Sequence, residues 1–134
     1  MAVLLIGTGL NGAAPAATGT MSAAGAAERS KCGGQVVDIV GADGDDRLRG
    51  DGLKNGILGL GGRDRLIGAQ NRDGLCGGRS ADVLSGGRGR DKLVGGAGAD
   101  VLRGGLAGDV LIGGPGKDRC VGGSGPGQDR LRRC

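Results

Sequence analysis

Glycine, aspartate and small aliphatic residues recur along this chain with a fixed period of nine. Counted in nines from Gly41, ten successive units all begin with glycine, as in "GGAGADVLR" at residues 95–103. The eighth position is aliphatic in eight units and cysteine in the ninth: Leu48, Ile57, Leu66, Leu75, Leu84, Leu93, Leu102, Leu111 and Cys120. The tenth unit keeps this phase, with Leu131 in the eighth position, if Pro126 and Gly127 are a two-residue insertion. An internal repeat of this kind indicates a repetitive architecture.

The period predicts an all-β solenoid. Nine residues are too few for a helical repeat and match no helical face. The last three residues of a unit can form a short strand whose middle side chain points inward. The first six can form a turn, in which glycine permits positive φ or close backbone contact. Two units of 18 residues would then complete one coil, and the eighth-position side chains would fill a narrow core.

Composition supports a thin core and excludes several functions. The 134 residues include 35 glycines and no Trp, Tyr or Phe, so an ordinary globular core is hard to build. No histidine is present, which removes the usual general base and the commonest zinc ligand. The net charge of +4 comes mainly from dispersed arginines, without the aromatic residues that stack on bases, so we expect neither an enzyme nor a nucleic-acid partner.

Thirteen of the 14 acidic residues are aspartate, and most occupy the sixth position of a unit. Coils of 18 residues would place alternate units on the same edge of the solenoid. One predicted ladder is Asp46, Asp64, Asp82, Asp100 and Asp118; the other is Asn55, Asp73, Asp91, Asp109 and Asp129. Carboxylates stacked about 4.8 Å apart repel by roughly 3 to 4 kcal/mol at an effective dielectric constant of 20.

A hard divalent cation would relieve this repulsion. Oxygen-only ligands in a flexible loop favour Ca²⁺ over Mg²⁺ or zinc. The predicted ligands are the nine ladder aspartates, more weakly Asn55, and turn carbonyls in the three most regular units, around Gly86, Gly87, Gly89, Gly95, Gly96, Gly98, Gly113, Gly114 and Gly116. Two alternatives stay open. Aspartate is also a common turn residue, and arginines could neutralise the ladders without metal: Arg47, Arg65, Arg72, Arg90 and Arg119.

The N-terminal residues 1–26 predict an export signal. An apolar run at 2–9, too short to span a bilayer, precedes two candidate cleavage sites, Ala14–Ala16 and Ala24–Ala26. No Lys or Arg precedes the run, which favours a true start further upstream.

Four cysteines in a secreted chain imply disulfides with three possible connectivities. We favour Cys120–Cys134, which would hold the C-terminal end, leaving Cys32–Cys76.

The units "GGRGRDKLV", "GGAGADVLR" and "GGPGKDRCV" resemble the GGxGxDxUx nonapeptide of the RTX, or haemolysin-type, calcium-binding repeats. The resemblance covers about residues 41–131. It implies a parallel β-roll of about ten repeats, with Ca²⁺ held between successive turns by the sixth-position aspartates and turn carbonyls. It also implies a chain that orders when it meets calcium outside the cell. The basic charge, the cysteines and the lack of an evident C-terminal export signal depart from the family pattern.

The resulting prediction is a secreted calcium-binding β-roll. Residues 27–40 would form an N-terminal cap, with Ile39 in the eighth-position phase; residues 41–131 the roll; and residues 132–134 a disulfide-held tail. The alternative is a metal-free adhesive solenoid at the cell surface.

Overall fold

The computed structural model describes residues 31–134, which form an all-β solenoid without helices. The predicted export signal and the first residues of the predicted cap lie outside this range. The strands are β1 (Lys31–Cys32), β2 (Gln35–Val36), β3 (Ile39–Val40), β4 (Arg47–Arg49), β5 (Gly56–Leu60), β6 (Arg65–Gln70), β7 (Gly74–Arg79), β8 (Val83–Arg88), β9 (Lys92–Ala97), β10 (Val101–Leu106), β11 (Val110–Ile112), β12 (Arg119–Ser124) and β13 (Arg130–Arg132).

Two parallel sheets form the body of the solenoid. One has five strands in the order β12-β10-β8-β6-β4, and the other has six in the order β13-β11-β9-β7-β5-β3. Neighbouring strands are offset by 18 residues, as in the pairing of Leu84 with Leu102. At the C-terminal end Leu111 pairs with Leu131, an offset of 20. The predicted coil of two units and the two-residue insertion in the last unit are both confirmed.

The core is a single column of eighth-position side chains. Seven of them, from Ile57 to Leu111, have no exposed surface, and Leu48 is 5% exposed. Ile39 and Cys120 pack against the two ends of this column. A cross-section this narrow, with one side chain per strand, accommodates Leu and Ile but not aromatic rings.

The strands are longer than the three residues predicted for each unit. Six of them span six residues, from the seventh position of one unit to the third position of the next. Strand pairing therefore continues through the two glycines: in β10, for example, Gly105 pairs with Gly87 of β8. The double glycine is part of the sheet, and the turn proper is shorter than six residues.

The glycines of a unit serve two different purposes. Gly95, in the first position, has no positive φ, but a Cβ there would overlap a carboxylate oxygen of Asp100 and lie 2.8 Å from the carbonyl oxygen of Gly113. Gly96, in the second position, has a φ of +107°. First-position glycine is therefore required for space, and second-position glycine for conformation.

Some second and fourth positions hold larger residues at positive φ. Ala69 in β6 has a φ of 89°, and Ala107 has a φ of 81°. L-residues adopt this region at a cost of about 1 to 3 kcal/mol.

Ala69→Gly is therefore expected to stabilise the protein by about 1 kcal/mol, since glycine adopts this φ without strain. The matched control is Ala97→Gly, at an exposed strand position without positive φ, which should destabilise by roughly 0.5 to 1 kcal/mol. Thermal melts of the two variants and the parent check the opposite signs. Destabilisation by Ala69→Gly would contradict this account of strain.

An N-terminal β-hairpin lies against the outer surface of the six-stranded sheet. Strands β1 and β2 are antiparallel, and a Cβ on Gly56 or Gly74 would overlap the carbonyls of Val36 and Cys32. These two glycines occupy seventh positions, where other units carry larger side chains, because the hairpin backbone covers them. A small second core forms here, around Cys32, Val37 and Val40.

Two disulfides join the ends of the chain to the solenoid. Cys32–Cys76 attaches the hairpin, and Cys120–Cys134 holds the last residues against the final coil. Both favoured pairings are confirmed. The divisions of the chain at residues 26, 40 and 131 stay predictions.

Candidate metal centre

The sixth-position residues lie at the two turn edges of the solenoid, with their side chains directed inward. Eight of the ten are buried, with exposures between 0 and 6%: Asp46, Asn55, Asp64, Asp73, Asp82, Asp91, Asp100 and Asp109. Asp118 and Asp129, in the last units, are partly exposed. The fold thus forms the two predicted ladders, one along each edge. It also buries their carboxylates, which the sequence pattern alone did not predict.

Every ladder aspartate after Asp46 accepts a hydrogen bond from the preceding coil. Oδ1 of Asp100 accepts the backbone N–H of Asp82 at 2.8 Å, and Oδ1 of Asp109 accepts that of Asp91 at the same distance. The same bond joins every successive pair on both edges, including Asp129 to Asp109 across the insertion. The aspartates therefore connect the coils to one another even before any ion is considered.

The second carboxylate oxygen has no partner. In eight ladder residues one buried carboxylate oxygen accepts no hydrogen bond: Asp46, Asp64, Asp73, Asp82, Asp91, Asp100, Asp109 and Asp118. The unpaired atom is Oδ1 in Asp46 and Oδ2 in the other seven. A buried, unsatisfied carboxylate oxygen costs more than about 1 to 3 kcal/mol. An unpaired oxygen of this kind recurs from coil to coil through the stack.

Oxygen atoms from two consecutive coils face the same small space. The unpaired oxygen of Asp91 and the carbonyl oxygen of Gly104 both lie beside the Cα of Gly86, on the side where other residues have a Cβ. Asp100 and the carbonyl of Gly113 meet in the same way beside Gly95. The missing Cβ of the first-position glycine leaves this space open. A carboxylate and a carbonyl are the oxygen ligands that hard cations bind.

Burial raises the pKa of the ladder carboxyls. It raises the pKa to about 7 in Asp82 and Asp91, against a usual value of 3.8, although a backbone hydrogen bond partly opposes the shift. The charges of neighbouring ladder aspartates raise the pKa further. Burial likewise raises the pKa to about 6 in Asp64, Asp73 and Asp109, and a nearby aspartate charge adds to the shift in each. The protein itself therefore does not offset the cost of burying these carboxylates in their ionised form.

The arginines do not supply this compensation. All five candidates for neutralising the ladders are exposed on the outside of the solenoid: Arg47, Arg65, Arg72, Arg90 and Arg119. Within residues 31–134 none of them forms an ion pair with a ladder carboxylate, whose hydrogen bonds all come from backbone N–H groups. The ladder aspartates are buried, whereas these arginines, at the neighbouring fifth or seventh positions, are exposed to solvent.

Carboxylates alone do not form a cage for an ion. Across the described part of the chain, no three Asp, Glu or Cys side chains converge on one point. A cation at these edges would therefore depend on turn carbonyls for much of its coordination, as the glycine-rich units predict.

The first coil differs from the others. Asn55 replaces the aspartate, and its Oδ1 accepts the N–H of Asp51 at 3.1 Å. Asp51 in turn accepts the N–H of Leu53 in a local turn. No unpaired buried oxygen remains at Asn55. The weaker role of Asn55 stays a prediction.

The sequence analysis included the first-position glycines of three units, Gly86, Gly95 and Gly113, only as part of the turns that supply carbonyls. Their role is to leave space for the carboxylate five residues later. The available signal was their presence in all ten units, including units in which the second or fourth glycine is replaced.

Comparison with known families finds matches to the RTX calcium-binding nonapeptide repeat at residues 55–84, 76–111 and 95–129, more than half of the chain. The chain belongs to this family. No curated protein and no solved structure matched. The RTX matches begin at Asn55 and omit the first unit and most of the second, in which Leu53 replaces the fourth-position glycine. They include the three units with the complete motif.

Proposed function

We propose that this RTX chain is a secreted calcium-binding protein in which Ca²⁺ lies between successive turns and drives folding of the roll. The observation that carries the proposal is the series of eight buried ladder oxygens without a hydrogen-bond donor. Calcium supplies the positive charge that the ladders lack. The protein supplies carboxylates from the sixth positions and carbonyls from the turns, held in register by the 18-residue coil.

The arrangement favours calcium over the other common cations. Its potential ligands are oxygen atoms on glycine-rich turns, which suits the variable geometry of Ca²⁺ better than the strict octahedron of Mg²⁺. Zinc prefers nitrogen and sulfur ligands. The chain has no histidine, and all four cysteines are in disulfides.

The two disulfides support an extracellular location, because disulfides persist in oxidising compartments. Among residues 31–134 there is no helix with the length and apolarity needed to cross a membrane.

The metal-free adhesive solenoid is the less favoured alternative. It requires arginines to neutralise the ladders, and among the described residues those arginines are exposed and form no ion pair with the buried ladder carboxylates. The matching family and the solenoid architecture are structural, so we propose a binding role and no catalytic one.

Calcium addition to the metal-free chain at neutral pH is expected to convert it from a largely unfolded state to β structure. Far-ultraviolet circular dichroism during a calcium titration, reversed with a chelator, measures this change. Magnesium at equal concentration is the control and should have a much smaller effect. Full β structure in chelator that does not change with calcium would refute calcium-driven folding.

Asp100→Asn is expected to separate calcium binding from stacking. Asparagine keeps the oxygen that accepts the N–H of Asp82 but removes the charge. The calcium concentration at half-folding should rise about tenfold or more, equivalent to about 1.4 kcal/mol.

Asp91→Ala and Asp100→Ala should likewise weaken calcium-induced folding, whereas Asn55→Ala should change the midpoint less than about twofold. Equal effects at Asp91, Asp100 and Asn55 would contradict the ranking of the sites.

A further inference from the structure

The N-terminal hairpin lies across three successive coils of the roll. Gly56 of β5 and Gly74 of β7 are covered by hairpin carbonyls, which a Cβ on either glycine would overlap. At the hairpin turn, a Cβ on Gly33 would lie 3.0 Å from the carbonyl oxygen of Lys92 in β9. Strands β5, β7 and β9 are neighbours in the six-stranded sheet. The hairpin therefore contacts strands that the chain reaches one coil after another.

A disulfide and buried apolar side chains attach the hairpin to the roll. Cys32–Cys76 joins β1 to β7 across a sequence separation of 44. Cys32 and Val37 are buried, and Leu58 of β5 packs against them. A cross-link between distant residues stabilises a fold because it removes conformations from the unfolded chain, and the effect grows with the length of the closed loop. We call residues 31–37 together with this disulfide the clamp.

The roll also carries fewer ladder carboxylates at its clamped end. The pairing of β3 with β5 places Val37 one coil before Asn55, so the first two sixth positions on that edge are uncharged. The four sixth positions from 37 to 64 hold two carboxylates, whereas the last four hold one each: Asp100, Asp109, Asp118 and Asp129. The clamped end therefore needs less positive charge than the other end to bury its sixth-position side chains.

We propose that the clamp makes folding directional: calcium orders the clamped coils, from β5 to β9, first, and the coils from β10 onward add to them at higher calcium concentration. The order rests on the proposed function, because it concerns how calcium folds the roll. Each coil of a solenoid contacts only its neighbours, so an ordered coil is the template for the next one. The clamp supplies the first template because it holds three coils together.

The clamp also links the calcium response to the redox state of the chain. A dithiol that reduces Cys32–Cys76 to two thiols, and is itself oxidised to a disulfide, opens the closed loop. The clamped coils then lose the restriction that favours their folding. Calcium therefore folds the roll most readily where disulfides persist, which is outside the reducing cytosol.

The test is hydrogen exchange, read by mass spectrometry, during a calcium titration of the oxidised chain. Protection of segment 56–97 should reach its midpoint at a calcium concentration at least about twofold lower than that of segment 101–112. In Cys32→Ser/Cys76→Ser both midpoints should rise, that of 56–97 at least about threefold, because the later coils lose their template. The matched control Cys120→Ser/Cys134→Ser opens a loop with a separation of 14 and should leave the order of the two segments unchanged.

Gly74→Ala tests the clamp with both disulfides intact. The added Cβ would overlap the carbonyl of Cys32 and displace the hairpin from β7. The midpoint of 56–97 should rise as it does when the disulfide is opened. Val110→Ala, at the equivalent position two coils further on, changes a site that the hairpin does not cover and should leave this midpoint unchanged.

Two results would overturn directional folding. One is a midpoint of 101–112 equal to or below that of 56–97 in the oxidised chain. The other is an unchanged midpoint of 101–112 in Cys32→Ser/Cys76→Ser, which would mean that the disulfide stabilises only the coils it contacts. Protection that calcium changes in neither segment would refute the proposed function instead. Urea added to the same samples then tests the clamp: 101–112 should lose protection before 56–97, and simultaneous loss or no protection at all would overturn it.

Discussion

Without calcium, the roll is expected to become less stable as the pH rises from about 4 to about 7. Burial raises the pKa of Asp82 and Asp91 to about 7 in the folded chain, and that of three further ladder carboxyls to about 6, against 3.8 for an ordinary aspartate. Between these values the folded state holds more protons than the unfolded state. Stability therefore falls with rising pH across this window.

The slope of stability against pH changes sign when calcium is saturating. Cation binding requires ionised carboxylates, so protons and calcium compete for the same oxygens. With calcium present, we expect stability to rise over the same pH range. This opposite slope distinguishes a metal-binding ladder from one that is merely buried.

Urea unfolding at constant ionic strength measures both slopes, in excess calcium over the whole pH range and in chelator from pH 4 up to the pH at which the calcium-free chain is already unfolded without urea. Asp91→Asn is the control, since it removes one of the most strongly shifted carboxyls and should flatten the calcium-free slope. Higher stability at pH 8 than at pH 4 in chelator would contradict the burial of ionisable ladder residues.

Gly104→Ala is expected to destabilise the roll by about 3 kcal/mol, at the upper end of the usual cost of overpacking. Gly104 has no positive φ, so the effect does not come from backbone conformation. A Cβ at this position would overlap a carboxylate oxygen of Asp109 and the carbonyl of Gly122 in the next coil. Neither can move without breaking the stacking of coils, because Asp109 also accepts the N–H of Asp91.

Gly44→Ala is the matched control. It also changes a glycine of the repeat without positive φ, but no atom lies within 4 Å of the added Cβ. It should change stability by less than about 0.5 kcal/mol. Thermal melts in excess calcium compare the two variants, and calcium titrations show whether Gly104→Ala also weakens the site. Similar stabilities would mean that first-position glycine is not required for space.

Much of the fold could be predicted because the repeat strongly restricts how the aliphatic side chains can be buried together. A nine-residue period with one aliphatic position leaves few ways to bury Leu84, Leu93 and Leu102 together, and the coil of two units follows. The insertion at Pro126 was predictable because Asp129 and Leu131 return to phase after it. The extension of strands through the double glycines was not, since glycine in isolation favours turns.

The residues of the site could be predicted from the sequence, but the way in which their charge is neutralised could not. Spacing alone places Asp82 and Asp100 in one ladder. Whether an arginine or a cation neutralises them depends on the side of the strand to which each side chain points, and both possibilities were open before the coil was known.

The sequence by itself determined the period, the core positions, the two aspartate ladders and the favoured disulfides, because each follows from local spacing or from simple pairing. Only the tertiary structure decided that the carboxylates are buried with one oxygen unpaired, that the first-position glycine makes room for them, and that the hairpin covers part of one sheet. Even the space beside a first-position glycine, which a carboxylate five residues later enters, is completed by a carbonyl of the next coil. These features depend on how successive coils pack, which no local pattern sets.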